Sequence, residues 1–110
     1  MASFELAEIE ELRNHKLDSG IFSKTFIKNE NVNIVFMKMA AGEDLTEHSS
    51  RFAATIHFLE GEGKITLGDE VQTIKGESVL YISPNLEHSL IAQKEWSFLL
   101  ILHKKTKEEQ

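Results

Sequence analysis

The sequence predicts an all-β protein, an antiparallel sandwich or barrel, and three observations point to it. There are roughly eight to ten short runs rich in Ile, Val, Phe and Thr, turn residues separate them at near-regular spacing, and helical periodicity is almost absent.

The exception comes first in the chain. "FELAEIEEL" (4–12) is acidic, with Leu6, Ile9 and Leu12 at near-helical spacing, which predicts a short amphipathic helix or turn. Asp18-Ser19-Gly20 ends it. Strand-like runs follow at 21–28 and 32–39, the second alternating Val32, Ile34 and Phe36 against Asn33, Val35 and Met37. Residues 54–60 and 64–67 flank Gly61-Glu62-Gly63, and Gly68-Asp69 reads as a hairpin turn before a strand near 73–75. The remaining runs are 78–83, 88–92 and 96–103, with a charged tail at 105–110. The 110 residues suffice for one domain, with a core over about 20–104, and not for two.

Composition removes several functions. A formal net charge of −6 argues against nucleic acid as a partner, because phosphate binding needs a basic surface. With no cysteine there is no disulfide, thiolate zinc site or thiol nucleophile. The start lacks the basic segment and apolar run of a signal peptide, and "FLLIL" (98–102) is far short of the roughly 20 residues of a membrane helix. A cytoplasmic protein with no membrane partner is the expectation.

Two glycine-anchored stretches carry chemistry. In the first, Gly42 is followed by five residues, then His48, Ser49, Ser50, three more, Ala54, six more, and Gly61. In the second, Gly76 leads to Ser83-Pro84-Asn85 and His88. These resemble the two motifs of the cupin family, G-x5-H-x-H-x3-E-x6-G and G-x5-P-x-G-x2-H. Ser50 stands in place of the second histidine and Ala54 in place of the glutamate. One extra residue precedes the proline turn, and Asn85 replaces a glycine, tolerating the same left-handed conformation. The hairpin spacing and the "LEGEG" turn extend the resemblance over nearly the whole chain, closest to small single-domain, RmlC-like members.

The resemblance implies a double-stranded β-helix, or jelly-roll barrel, with its ligand cavity at one mouth. In metal-binding cupins the two motifs bring three histidines and a glutamate onto a divalent ion such as iron, manganese, nickel or zinc. Only His48 and His88 carry over. Ser50 is a poor ligand for such ions and Ala54 cannot be one, so a stable site lacks donors. The resemblance implies that position 54, the motif's glutamate position, faces into the barrel. By strand alternation Ile56 then faces inward too and His57 outward, where only a β-bulge would recruit it as a third ligand. His48, Ser50, Ala54, Ile56 and His88 are thus expected around a cavity, with Met37 and Met39 sharing a strand face that could line it.

Other residues read more simply. His15 and His103 are expected at the surface, and Glu47 is expected to point away from His48. Phe52 could lid the mouth or cap the core, and Tyr81 is expected to pack within an apolar strand. Trp96 is expected to cover a barrel edge or an interface. "SVLYIS" and "FLLIL" are apolar on both faces, which predicts a homodimer through sheet faces. The two functions that follow are a module binding a small molecule, and a metal-dependent dioxygenase, isomerase or lyase using His48 and His88.

Overall fold

The structure, a computed structural model, describes residues 3–104 apart from the side chains of 46–48. The tail expected at 105–110 lies outside the described residues. Nine strands are described: β1 (Ile21–Lys28), β2 (Val32–Met39), β3 (Asp44–His48), β4 (Ala53–Glu60), β5 (Glu62–Leu67), β6 (Glu70–Lys75), β7 (Ser78–Ile82), β8 (His88–Ala92) and β9 (Trp96–His103). They form a five-stranded sheet in the order β1-β2-β9-β4-β7 and a four-stranded sheet in the order β3-β8-β5-β6, antiparallel at every described pairing. The all-β jelly roll expected from the sequence is what the chain adopts.

The inward faces follow from period-two alternation. Met39, Ala54, Ile56, Phe58, Ile65, Ile82, Leu90, Ala92, Trp96 and Phe98 make one buried cluster between the sheets. One end of it is packed with rings. Trp96 stacks on Phe58 at 4.9 Å between centroids and meets Phe98 edge-on at 5.7 Å. Fully burying each such side chain contributes about 1.5–3 kcal/mol. Trp96 therefore covers neither a barrel edge nor an interface: it pairs with Met39 across the ladder, and that parity turns it inward.

Turn chemistry explains the crossings. Gly61 takes φ +101°, and a Cβ there would fall 2.0 Å from the Glu95 carbonyl oxygen, so only glycine fits where the chain passes from β4 to β5. In the β5–β6 hairpin Gly68 alone takes positive φ (+59°), the pattern of a II′ turn.

Before β1 the chain crosses the outer side of the five-stranded sheet. Its helix α1 is only Glu10–Arg13, shorter than the 4–12 periodicity predicts, because Ile9 at the N-cap supplies no side-chain hydrogen bond. Phe4 and Leu6 stay exposed and add no packing. What holds the segment is polar. Lys38, buried on the outer face, donates from Nζ to the carbonyls of Arg13 (2.7 Å) and His15. Leu17 N–H donates to Glu95 Oε2 at 2.6 Å, and Arg13 Nε meets Glu60 at 2.8 Å. That hydrogen bond raises the Arg13 pKa further, so its charge is permanent. Nearby, Phe36 receives the edges of Phe22 and Phe26.

Candidate functional site

The inner face of the five-stranded sheet is a stack of cross-strand rungs. The register places Asn33, Leu102, Ala54 and Ile82 on one rung, and Val35, Leu100, Ile56 and Leu80 on the next. Met37 lies beside Phe98 and Phe58 below these, and Met39 beside Trp96 below that. At about 3.4 Å per residue, Met37 is about 14 Å and Met39 about 20 Å along the strand from the first rung.

A cavity of about 130 Å³ opens at the first rung. Ala54, Ile82, Leu100 and Leu102 form its sheet side, and Ser50, Phe52, Ser83, Leu86 and His88 close it from the loops and β8. Of the residues expected around it, Ser50, Ala54 and His88 are there. Met37, Met39 and Ile56 do not line it: the methionines sit at the ring-packed end, and Ile56 is buried in the core one rung down. The expectation for the His48 side chain, and for that of Glu47, falls outside the described residues. Backbone register alone sets His48 opposite His88 between β3 and β8.

The two motif turns are joined to each other. Asn85, the one described non-glycine residue with positive φ (+65°), donates its N–H to the Ser50 carbonyl at 2.6 Å. Asparagine thus serves where the motif has glycine. Ser50 Oγ accepts from the Phe52 N–H at 3.1 Å, so the hydroxyl keeps its own proton to donate. His88 is buried, and its Nδ1 lies 3.0 Å from the Leu86 carbonyl oxygen. A carbonyl only accepts, so the proton is on Nδ1, and in the neutral ring Nε2 holds the lone pair.

These residues do not fit a tight metal centre. Ala54 offers only a methyl group, the Ser50 oxygen already accepts a backbone hydrogen bond, and no three His, Cys, Asp or Glu side chains converge among the described residues. His57 is outward as parity requires, with Nε2 2.8 Å from Glu77. His15 is exposed, and His103 bonds Thr55 at 2.8 Å on the same outer face. Tyr81 departs from expectation: it lies on that face, 59% exposed, instead of packing inside.

Sequence reasoning missed Ser83, Leu86, Leu100 and Leu102. Parity in the last strand, counted inward from Phe98, would have found the two leucines. The other two lie in the proline turn, where no strand period applies.

Two antiparallel sheets curled around a core, with a cavity at the end where two glycine-anchored turns meet, define a jelly-roll barrel. The family model described as "Cupin domain" matches residues 35–102, and the chain belongs to that family. Solved structures agree on the fold. A conserved protein of unknown function from Streptococcus pyogenes superposes with a TM-score of 0.81 at 18% identity, covering 96% of this chain and 92% of that one. A cupin superfamily protein from Desulfitobacterium hafniense gives 0.78 at 21% identity, covering 83% and 84%. A mutant of the salicylate 1,2-dioxygenase from Pseudoaminobacter salicylatoxidans gives 0.72 at 12% identity, covering 86% of this chain and 30% of that one. No curated protein matches the chain.

Proposed function

We propose that the protein is a single-domain binding module that holds a small molecule in the cavity between the two motif turns. The observation that carries this is the cavity itself. Its walls are mostly apolar, and its polar groups, Ser50, Ser83 and His88, sit at the motif end. That is the usual composition of a small-ligand site. We also propose a cytoplasmic location, which the lack of cysteine fits; no helix among the described residues is long and apolar enough to cross a membrane.

The second reading is a metal-dependent dioxygenase, isomerase or lyase. Two features favour it: the register that sets His48 opposite His88, and the Leu86 carbonyl that orients the His88 ring as metal-ligating histidines are oriented. Elemental analysis of native-purified protein, repeated after incubation with iron, nickel or zinc, separates the two. Stoichiometric metal that is lost in both His48→Ala and His88→Ala would replace the binding module by the enzyme. Protein that stays metal-free keeps the first reading.

We also propose that the module works as a homodimer. The N-terminal segment covers the β1–β2 side of the outer face, but Val79 (70% exposed) and Tyr81 stay open on β7, with Thr55 and His57 of β4 between them and the half-buried Leu99 and Ile101 of β9. Large apolar side chains left open on one sheet face favour cover by another protein surface.

A further inference from the structure

A charge lies next to the cavity's lining residues and not among them. Ser50 and Phe52 both line the cavity, and Arg51 stands between them in the chain. Its guanidinium carbon lies 4.7 Å from the centre of the Phe52 ring, which holds the side chain against one of the rings that line the cavity. Arg51 is exposed, and the ion pairs of the described residues, Arg13–Glu60, His57–Glu77 and Lys94–Glu62, leave it without a carboxylate. Next to it the Ser50 hydroxyl has a proton to donate.

Size and polarity limit what fits in the cavity. A cavity of about 130 Å³ is slightly smaller than the roughly 150 Å³ that takes a benzene ring, so it holds an apolar body of about four or five carbons. Deeper in, Ile82, Leu100 and Leu102 offer no partner for a second polar group. One cation in a chain of net charge −6 suits a single negative charge better than a dianion.

Resting on the ligand-binding reading above, we infer that the ligand is a small monocarboxylic acid. Its apolar body fills the cavity, and its carboxylate meets Arg51 and the Ser50 hydroxyl at the rim. Guanidinium suits a planar carboxylate because it can donate two parallel hydrogen bonds.

The test compares isovalerate and pivalate with isovaleramide and pivalamide, which keep the shape and remove the charge, by calorimetry at low salt. The acids should bind at least tenfold tighter than their amides. Arg51→Gln should abolish that preference, weakening the acids at least tenfold more than the amides. Amides binding as well as acids, or a preference that survives Arg51→Gln, overturns the acid assignment while leaving the cavity reading intact. Ala54→Leu, or Ala54→Val should the larger plug fail to fold, should remove binding of all four probes. Binding that persists in a folded plug variant, or no binding by wild type, overturns the cavity reading as well.

Discussion

Gly63 and Trp96 share one space: a Cβ on Gly63 would lie 2.3 Å from Cζ3 of the indole and 2.7 Å from the Ile91 carbonyl oxygen. The ring cannot retreat, because Phe58 stacks against it at an interplanar angle of 7° and Phe98 meets it at 66°. Gly63→Ala should therefore cost about 1–3 kcal/mol, the usual penalty for overpacking a tight core. Trp96 is the only tryptophan, so its emission reports the same site. Urea unfolding should show a lower midpoint, with a changed native emission maximum. An unchanged midpoint and spectrum would mean that the ring has room to move.

Lys38 gives the second prediction. Its buried ammonium spends hydrogen bonds on the carbonyls of Arg13 and His15, and so fastens the N-terminal segment across the outer face. Lys38→Met keeps the stem and removes the donors. Hydrogen bonds to a charged group are worth about 1.5–3 kcal/mol each, partly offset by relief from burying the ammonium. A net loss of about 2 kcal/mol is expected. Amide exchange should accelerate over residues 13–17 first, because local opening precedes global unfolding. Uniform exchange with unchanged stability would show that the segment is held by something else.

Much of the fold could be read from the chain, and the failures have physical causes. Strands 21–28, 32–39, 88–92 and 96–103 appear where β-branched and aromatic runs end at turn residues. β3 was invisible because "DLTEH" has one apolar residue and forms a sheet edge, where burial demands little alternation. The short N-terminal helix expected from the periodicity is present at Glu10–Arg13, but what fastens the segment was not legible, because Leu6 meets no core and the holding is done through backbone carbonyls that sequence does not display. Within the site, the resemblance put Ala54 inward and parity from it put His57 outward, which is where they lie. Parity could not say how far down the barrel Met37 and Met39 sit, which only the β2–β9 register decides.

The open part of the outer face gives a third prediction. His57 and His103 meet Glu77 and Thr55 there, so these polar groups already have partners beside the apolar ones. A second copy would cover Tyr81, Val79, Leu99 and Ile101. Light scattering at micromolar concentration should give twice the 12.5 kDa chain mass. Tyr81→Glu, on an exposed position, should give a folded monomer, since an unpaired charge in an apolar interface is costly. Wild type running as a monomer would reject the dimer.

Restoring the two donors that the resembling motif carries and this chain lacks tests the metal reading most directly. Ala54 is buried on the first rung with its methyl on the cavity wall, and Ser50 lines the same cavity from the loop. Ser50→His with Ala54→Glu would add an imidazole and a carboxylate to the positions from which the resembling motif draws its ligands. Going from two donors to four should raise nickel or zinc affinity steeply, by about a hundredfold or more, since stable sites use three or four protein ligands. Equilibrium dialysis against wild type and each single variant measures it. The carboxylate also brings a cost: without metal it is a buried, unpaired charge, so the apo double variant should be less stable than wild type and recover on adding metal. If the double variant binds metal no better than wild type, position 54 does not face the histidines closely enough to share an ion. The cavity would then have departed from the metal-binding arrangement in backbone as well as in side chains.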